Sequence, residues 1–181
     1  MSELLPVKIQ GVVVDPVSRG FAVIIRDDTS NRWLPIYIGP FEAQSIAMEL
    51  DNQKLPRPAT HDLLKNTIEE LGYIVTKAAI VSLKENTYYA VLSLRSETGA
   101  KELDCRPSDA IAVALRARAP ILVASDIFER AGTTEAPHDD DISKQLTSLQ
   151  EQLNGLIEAE KYEEAAKLRD RINKLKTNKS L

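Results

Sequence analysis

The sequence predicts an α+β fold: a mostly antiparallel sheet with inserted helices, followed by a C-terminal two-helix hairpin. Three observations carry this reading. Short β-branched runs recur through residue 132 at hairpin-sized spacings. Three helix-like segments fall between groups of strands instead of following each strand in turn. Beyond Gly132 no β-like run occurs, and leucines recur there at spacings of three and four. The expected division is an α+β domain over residues 1–132, a linker over 133–141 and a helical hairpin over 142–181.

The elements follow in order. VKIQGVVVD (7–15) and GFAVIIRD (20–27) read as a hairpin turning over Pro16–Arg19, and WLPIYI (33–38) follows the turn DDTSN. A first helix opens at Gly39-Pro40-Phe41-Glu42, with Phe41, Ile46, Ala47 and Leu50 expected inward. A second opens at Ala59-Thr60-His61-Asp62, is expected to bury Leu64, Ile68 and Leu71, and stops at Gly72, a residue suited to the left-handed cap. YIVTKAAIVSL (73–83) and TYYAVLSL (87–94) form a second hairpin, and KELDC (101–105) adds a strand. A third helix opens at Arg106-Pro107-Ser108-Asp109 and turns Ile111, Ala112, Leu115 and Ala119 to one side, before the strand PILVA (120–124). Proline suits a first helical position, where its missing N–H costs nothing, and acidic residues favour the exposed N–H groups of a first turn.

The C-terminal part carries two apolar stripes, Leu146, Leu149, Leu153 and Leu156, then Tyr162, Ala165, Leu168, Ile172 and Leu175. Residues 133–160 hold one basic and seven acidic side chains, and residues 161–181 hold seven basic and three acidic, so the halves attract. Each helix is only a few turns long and marginal alone in water, so residues 142–177 are expected to associate with another surface.

Composition bounds the function. With 181 residues and 43% hydrophobic content, the chain can bury a core. It has no apolar run of the roughly 18 residues a membrane span needs, so no membrane partner is expected. MSELLPVKIQG lacks the regions of a signal peptide, and a single cysteine, Cys105, excludes an internal disulfide; both fit a cytoplasmic protein. A net charge of −4 offers nucleic acid no general attraction, so any such binding must be local.

Residues 104–121, DCRPSDAIAVALRARAPI, raise the functional question. Pro107, Ser108 and Asp109 are accounted for as a helix start. Asp104 and Arg106 are left over at a strand-to-helix corner, where either a structural ion pair, with each other or through Arg116, or a site explains them.

This stretch resembles the signature of the bifunctional nuclease family. Two further segments match the family in order, LPIYIGPFEAQSIAMEL (34–50) and RPATHDLLKNTIEELG (57–72), and the resemblance covers roughly residues 5–132. It implies hydrolysis of RNA and DNA phosphodiesters. Chemistry then nominates roles. A divalent metal, Mg²⁺ or Mn²⁺, would be held by Asp104, Asp109 and Glu42. Asp104, His61 and Asp62 are the candidates for catalysis, with His61 as a general base. Arg57, Arg106, Ser108 and Arg116 are the candidates for holding substrate, since guanidinium grips phosphate in a bidentate manner. Against this, Glu42, Asp62 and Asp109 also fit as first-turn helix residues, His61 as a surface residue and Cys105 as a small buried one. Residues 1–132 carry 15 basic and 17 acidic side chains, which points to weak or nonspecific nucleic-acid binding.

EKYEEAAKLRDRINKLK (160–176) resembles the UVR motif, named from bacterial nucleotide excision-repair proteins. That resemblance implies a protein–protein contact device, joining the chain to a second copy as a homo-oligomer, to a UVR-bearing partner, or to its own first domain. The competing reading of the whole chain is a non-enzymatic adaptor that binds a ligand or nucleic acid and recruits a repair or proteolysis partner.

Overall fold

A computed structural model describes residues 2–14, 20–27 and 29–134. The turn expected at Pro16–Arg19, most of the linker and the C-terminal hairpin lie outside these residues.

The strands are β1 (Leu4–Val14), β2 (Phe21–Asp27), β3 (Arg32–Ile38), β4 (Ile74–Lys84), β5 (Thr87–Ser96), β6 (Gly99–Cys105) and β7 (Ile121–Ala124). They form one seven-stranded sheet in the order β3-β2-β1-β7-β4-β5-β6. Two antiparallel meanders are visible in that order. β1, β2 and β3 pair successively, with Lys8 opposite Arg26 and Phe21 opposite Ile38. β4, β5 and β6 do the same, with Ile80 opposite Ala90 and Ala90 opposite Cys105. The four-residue β7 joins them, antiparallel to β1 at Leu5–Val123 and parallel to β4 at Ala79–Leu122. Its parallel pairing needs a long connection, which β5, β6 and a helix supply.

The helices are α1 (Pro40–Leu50), α2 (Thr60–Glu70), α3 (Pro107–Ala117) and α4 (Ser125–Ala131). The first three start at the expected prolines or acidic turns. α2 is followed by Gly72 at φ +77°, the left-handed position for which glycine has no Cβ penalty. α3 is the central helix: Ala110, Ile111, Ala112, Val113 and Ala114 are all buried, and its alanines let α1, α2 and the β4–β5 hairpin approach.

Phe41, Leu64 and Leu71, expected inward, are instead 82%, 43% and 71% exposed. α1 buries Ala43 and the expected Ile46, and Ile68 is the buried residue of α2. α4 was not anticipated; its seven residues bury Ile127 and Phe128 but are too short to show helical periodicity. The turn after β2 is held by Asp27, which is fully buried and accepts hydrogen bonds from Thr29 N–H, Thr29 Oγ1 and Ser30 Oγ. No helix among the described residues is long and apolar enough to cross a membrane.

Candidate functional site

Because α1 and α2 both pack on α3, the openings of the three helices meet, and a cleft of about 1260 Å³ lies where they do. Glu42, His61, Asp62, Arg106, Asp109 and Arg116 all line it, as does Arg57 from the α1–α2 connection. Seven of the nine candidate residues are therefore brought together from three separated stretches of sequence.

His61 stands at the centre, with its side chain 13% exposed. Its Nδ1 lies 2.8 Å from Ser45 Oγ on α1, and its Nε2 lies 3.3 Å from Asp109 Oδ1 on α3. Asp109 also receives Arg106 through both oxygens, Nε to Oδ2 at 2.8 Å and Nη2 to Oδ1 at 3.1 Å. Arg106 Nη1 reaches Glu42 Oε1 at 2.9 Å, so one guanidinium 67% exposed closes on two carboxylates. Burial acts to raise the Asp109 carboxyl, but hydrogen bonds from Arg106 and His61 hold it below the usual carboxylate range. Arg106 is correspondingly raised, first by its hydrogen bond to Asp109.

Asp62 and Arg116 form the second pair. Asp62 Oδ2 accepts the Ala59 N–H at 2.8 Å, a helix-start bond, while Oδ1 meets Arg116 Nε at 2.5 Å. Arg116, 7% exposed, also donates to the carbonyls of Ala112 and Ser45 at 2.9 and 3.2 Å. Each of its three nitrogens donates to a protein partner, so it ties α3 to α1 and α2 and braces the cleft wall. Burial raises the Asp62 carboxyl, and the Ala59 and Arg116 hydrogen bonds outweigh it and bring it down.

Two candidates lie elsewhere. Asp104 pairs in register with Val91 and is exposed, while its neighbour Cys105 pairs with Ala90 and packs on the core under α3. Strand alternation therefore turns Asp104 to the opposite face of the sheet from Cys105, away from the cleft. Ser108 is buried within α3 and does not line the cleft. Cys105 has its thiol pushed up to about 11, chiefly by burial and then by Asp109 and Asp104, which suits a packed residue and not a nucleophile.

The three carboxylates expected to share a divalent ion are thus not assembled for one. Asp104 is on the other face, and Glu42 and Asp109 both close on Arg106. Among the described residues no group of three or more His, Cys, Asp or Glu stands where it could hold a metal. Ser45 was not singled out from sequence; its one signal is its position three residues after Glu42, on the same helical face.

Charges in the cleft are balanced: Lys54, Arg57, Lys65, Arg106 and Arg116 against Glu42, Glu49, Asp51, Asp62 and Asp109. The Glu42 carboxylate folds back over Gly39, where a Cβ would require it to shift.

Comparison with known proteins places the described domain in a family. The family model described as the bifunctional nuclease domain matches residues 23–136, which include all three helix openings. That of the UvrB/uvrC motif matches residues 143–178. An uncharacterized protein of Mycobacterium tuberculosis is 34% identical over 148 residues, 76% of this chain and 88% of that protein. Bifunctional nuclease 1 of Arabidopsis thaliana is 24% identical over 188 residues, 88% of this chain and 58% of the plant protein. Bifunctional nuclease 1 of Oryza sativa subsp. japonica is 32% identical over 106 residues, 56% of this chain and 32% of the rice protein. The chain spans less than two thirds of either plant relative.

Proposed function

The chain belongs to the bifunctional nuclease domain family, and on that premise we propose that its cleft hydrolyses phosphodiester bonds of RNA or DNA. The observation that supports this reading most is His61, held between Ser45 and Asp109 in a cleft that Arg57 and Arg106 border. An imidazole in that position takes and returns a proton, and the ionised Asp109 beside it stabilises the imidazolium that forms. Arg57 and Arg106 hold non-bridging phosphate oxygens, with Arg106 exchanging part of its carboxylate contact for the substrate. Arg116 and Asp62 keep the helix openings in place. Balanced charge makes the binding weak and only mildly salt-dependent.

No step in this reading passes through a metal: Arg106 closes on Glu42 and Asp109, and Asp104 lies on the other face of the sheet. The experiment is an assay of the purified full chain on single-stranded RNA and DNA, with chelator and with Mg²⁺ or Mn²⁺. Cleavage is expected in the chelator arm, and His61→Ala should lower it by about 10²–10⁴-fold. Equal rates for His61→Ala and the parent chain, or no cleavage in any arm, would overturn the reading.

The UvrB/uvrC motif supports a second role beside the first, in which residues 143–178 bind a partner bearing the same motif or a second copy of the chain. A purely adaptor function is favoured by one observation, that Glu42, Asp62 and Asp109 are all closed on arginines. The His61 variant separates the two: an adaptor has no rate to lose.

A further inference from the structure

Both ring nitrogens of His61 are already engaged, Nε2 by Asp109 and Nδ1 by Ser45. Until Ser45 has reacted, the imidazole therefore has no free nitrogen to offer a water or a substrate directly. The group it can activate is the one it touches, the Ser45 hydroxyl, which itself lines the cleft. A serine within a helix commonly bonds back to a carbonyl on its own helix. Ser45 instead reaches across to α2, and Arg116 Nη2 holds its carbonyl at 3.2 Å, fixing that turn of α1. A hydroxyl 2.8 Å from a base, with the base oriented in turn by a carboxylate, is the arrangement of an activated nucleophile.

We propose that Ser45 is the nucleophile of the hydrolytic reaction, with His61 as its base and Asp109 as the carboxylate that orients the ring. The inference rests on the phosphodiesterase reading above. In the tautomer this requires, Nδ1 accepts the Ser45 hydroxyl proton and Nε2–H donates to Asp109. Ser45 Oγ attacks phosphorus as its proton passes to His61. The bond from phosphorus to the leaving oxygen breaks, and that oxygen takes the proton from His61, releasing one end of the chain. Water then attacks phosphorus in the phosphodiester that now joins Ser45 to the remaining strand, and gives its proton to His61. The Oγ–phosphorus bond breaks, Oγ recovers the proton, and the second end leaves as a phosphate monoester. One water is consumed and the enzyme is restored. The route makes no use of a 2′-hydroxyl, so ribose and deoxyribose substrates are cleaved alike.

The test uses the full chain in two ways. Rapid quenching with an oligonucleotide radiolabelled at an internal phosphate should leave label on the protein, and peptide mass spectrometry should place it on Ser45. A fluorophosphonate probe should modify the same residue, and His61→Ala should suppress that modification. Ser45→Ala should slow cleavage by about a thousandfold or more, as removal of a nucleophile does. Ser45→Cys, which keeps a proton donor at the position, guards against a loss due to misfolding; it should retain probe labelling at residue 45. Ser45→Ala cleaving at the parent rate would overturn the serine while leaving the hydrolytic reading intact. A slow Ser45→Ala with no adduct on the parent chain would reduce Ser45 to a positioning residue, and so also overturn the proposal. An adduct without any nucleic-acid cleavage would keep the serine and overturn the nuclease reading. Absence of both adduct and cleavage would overturn both.

Discussion

Asp62 makes two contacts of different kinds, one with its own helix start and one with Arg116 on another helix. Removing it would leave a guanidinium 7% exposed without its charge partner. Asp62→Ala should therefore cost up to about 3 kcal/mol, near the low end for a broken buried pair because Asp62 is itself partly exposed. Denaturant unfolding measures that. A pH dependence follows from the same residues. Asp62 and Asp109 both titrate below the ordinary carboxylate value of 3.8 in the folded chain. Groups depressed by folding contribute stability that is present above about pH 3.8 and lost as pH falls through their folded values. The thermal midpoint should drop below that pH, and the drop should be shallower in Asp62→Asn and Asp109→Asn. Sequence made these residues visible as helix-start acids. It could not show that Asp109 faces His61 and Arg106, because 48 residues separate Asp109 from its histidine partner. Ser45 stayed hidden for the same reason: a serine in a helix acquires meaning only from what folds against it.

Helices α1 to α3 show how far periodic pattern carries. Their starts were legible because proline, glycine and first-turn acids act locally. Their buried faces were only partly so, since a stripe of apolar residues does not say what will cover it. α3 lies under its neighbours and buries five consecutive residues from Ala110 to Ala114, whereas α2 is covered only along one edge. Ile68→Ala should cost about 2–4 kcal/mol, as loss of a buried isoleucine does. Leu64→Ser and Leu71→Ser, at exposed positions of the same stripe, should each shift stability by less than about 0.5 kcal/mol. Urea unfolding of the three variants checks the contrast. β6 supplies the matching lesson for strands. Asp104 and Asp109 lie within one short motif, yet alternation along β6 sends the first to one face of the sheet while α3 carries the second to the other.

Across the α+β domain, the two meanders were readable as hairpins, but their union was not. It depends on β7, four residues long, finding β1 on one side and β4 on the other through pairings distant in sequence. That union sets the helices side by side: α1 leaves the first meander, α2 enters the second, and α3 leads into the strand between them. The cleft is a product of this topology, and the proposed hydrolysis is assigned to it and not to the sheet face that Asp104 occupies. The two acids of the motif separate these places directly. Cleavage of single-stranded DNA and RNA should be measured side by side for Asp104→Asn and Asp109→Asn, each verified as folded. Asp104→Asn should cleave within about twofold of the parent chain, while Asp109→Asn should lose about 10²-fold or more through misorientation of His61. A silent Asp109→Asn beside a crippled Asp104→Asn would place the chemistry on the other face of the sheet and contradict the account.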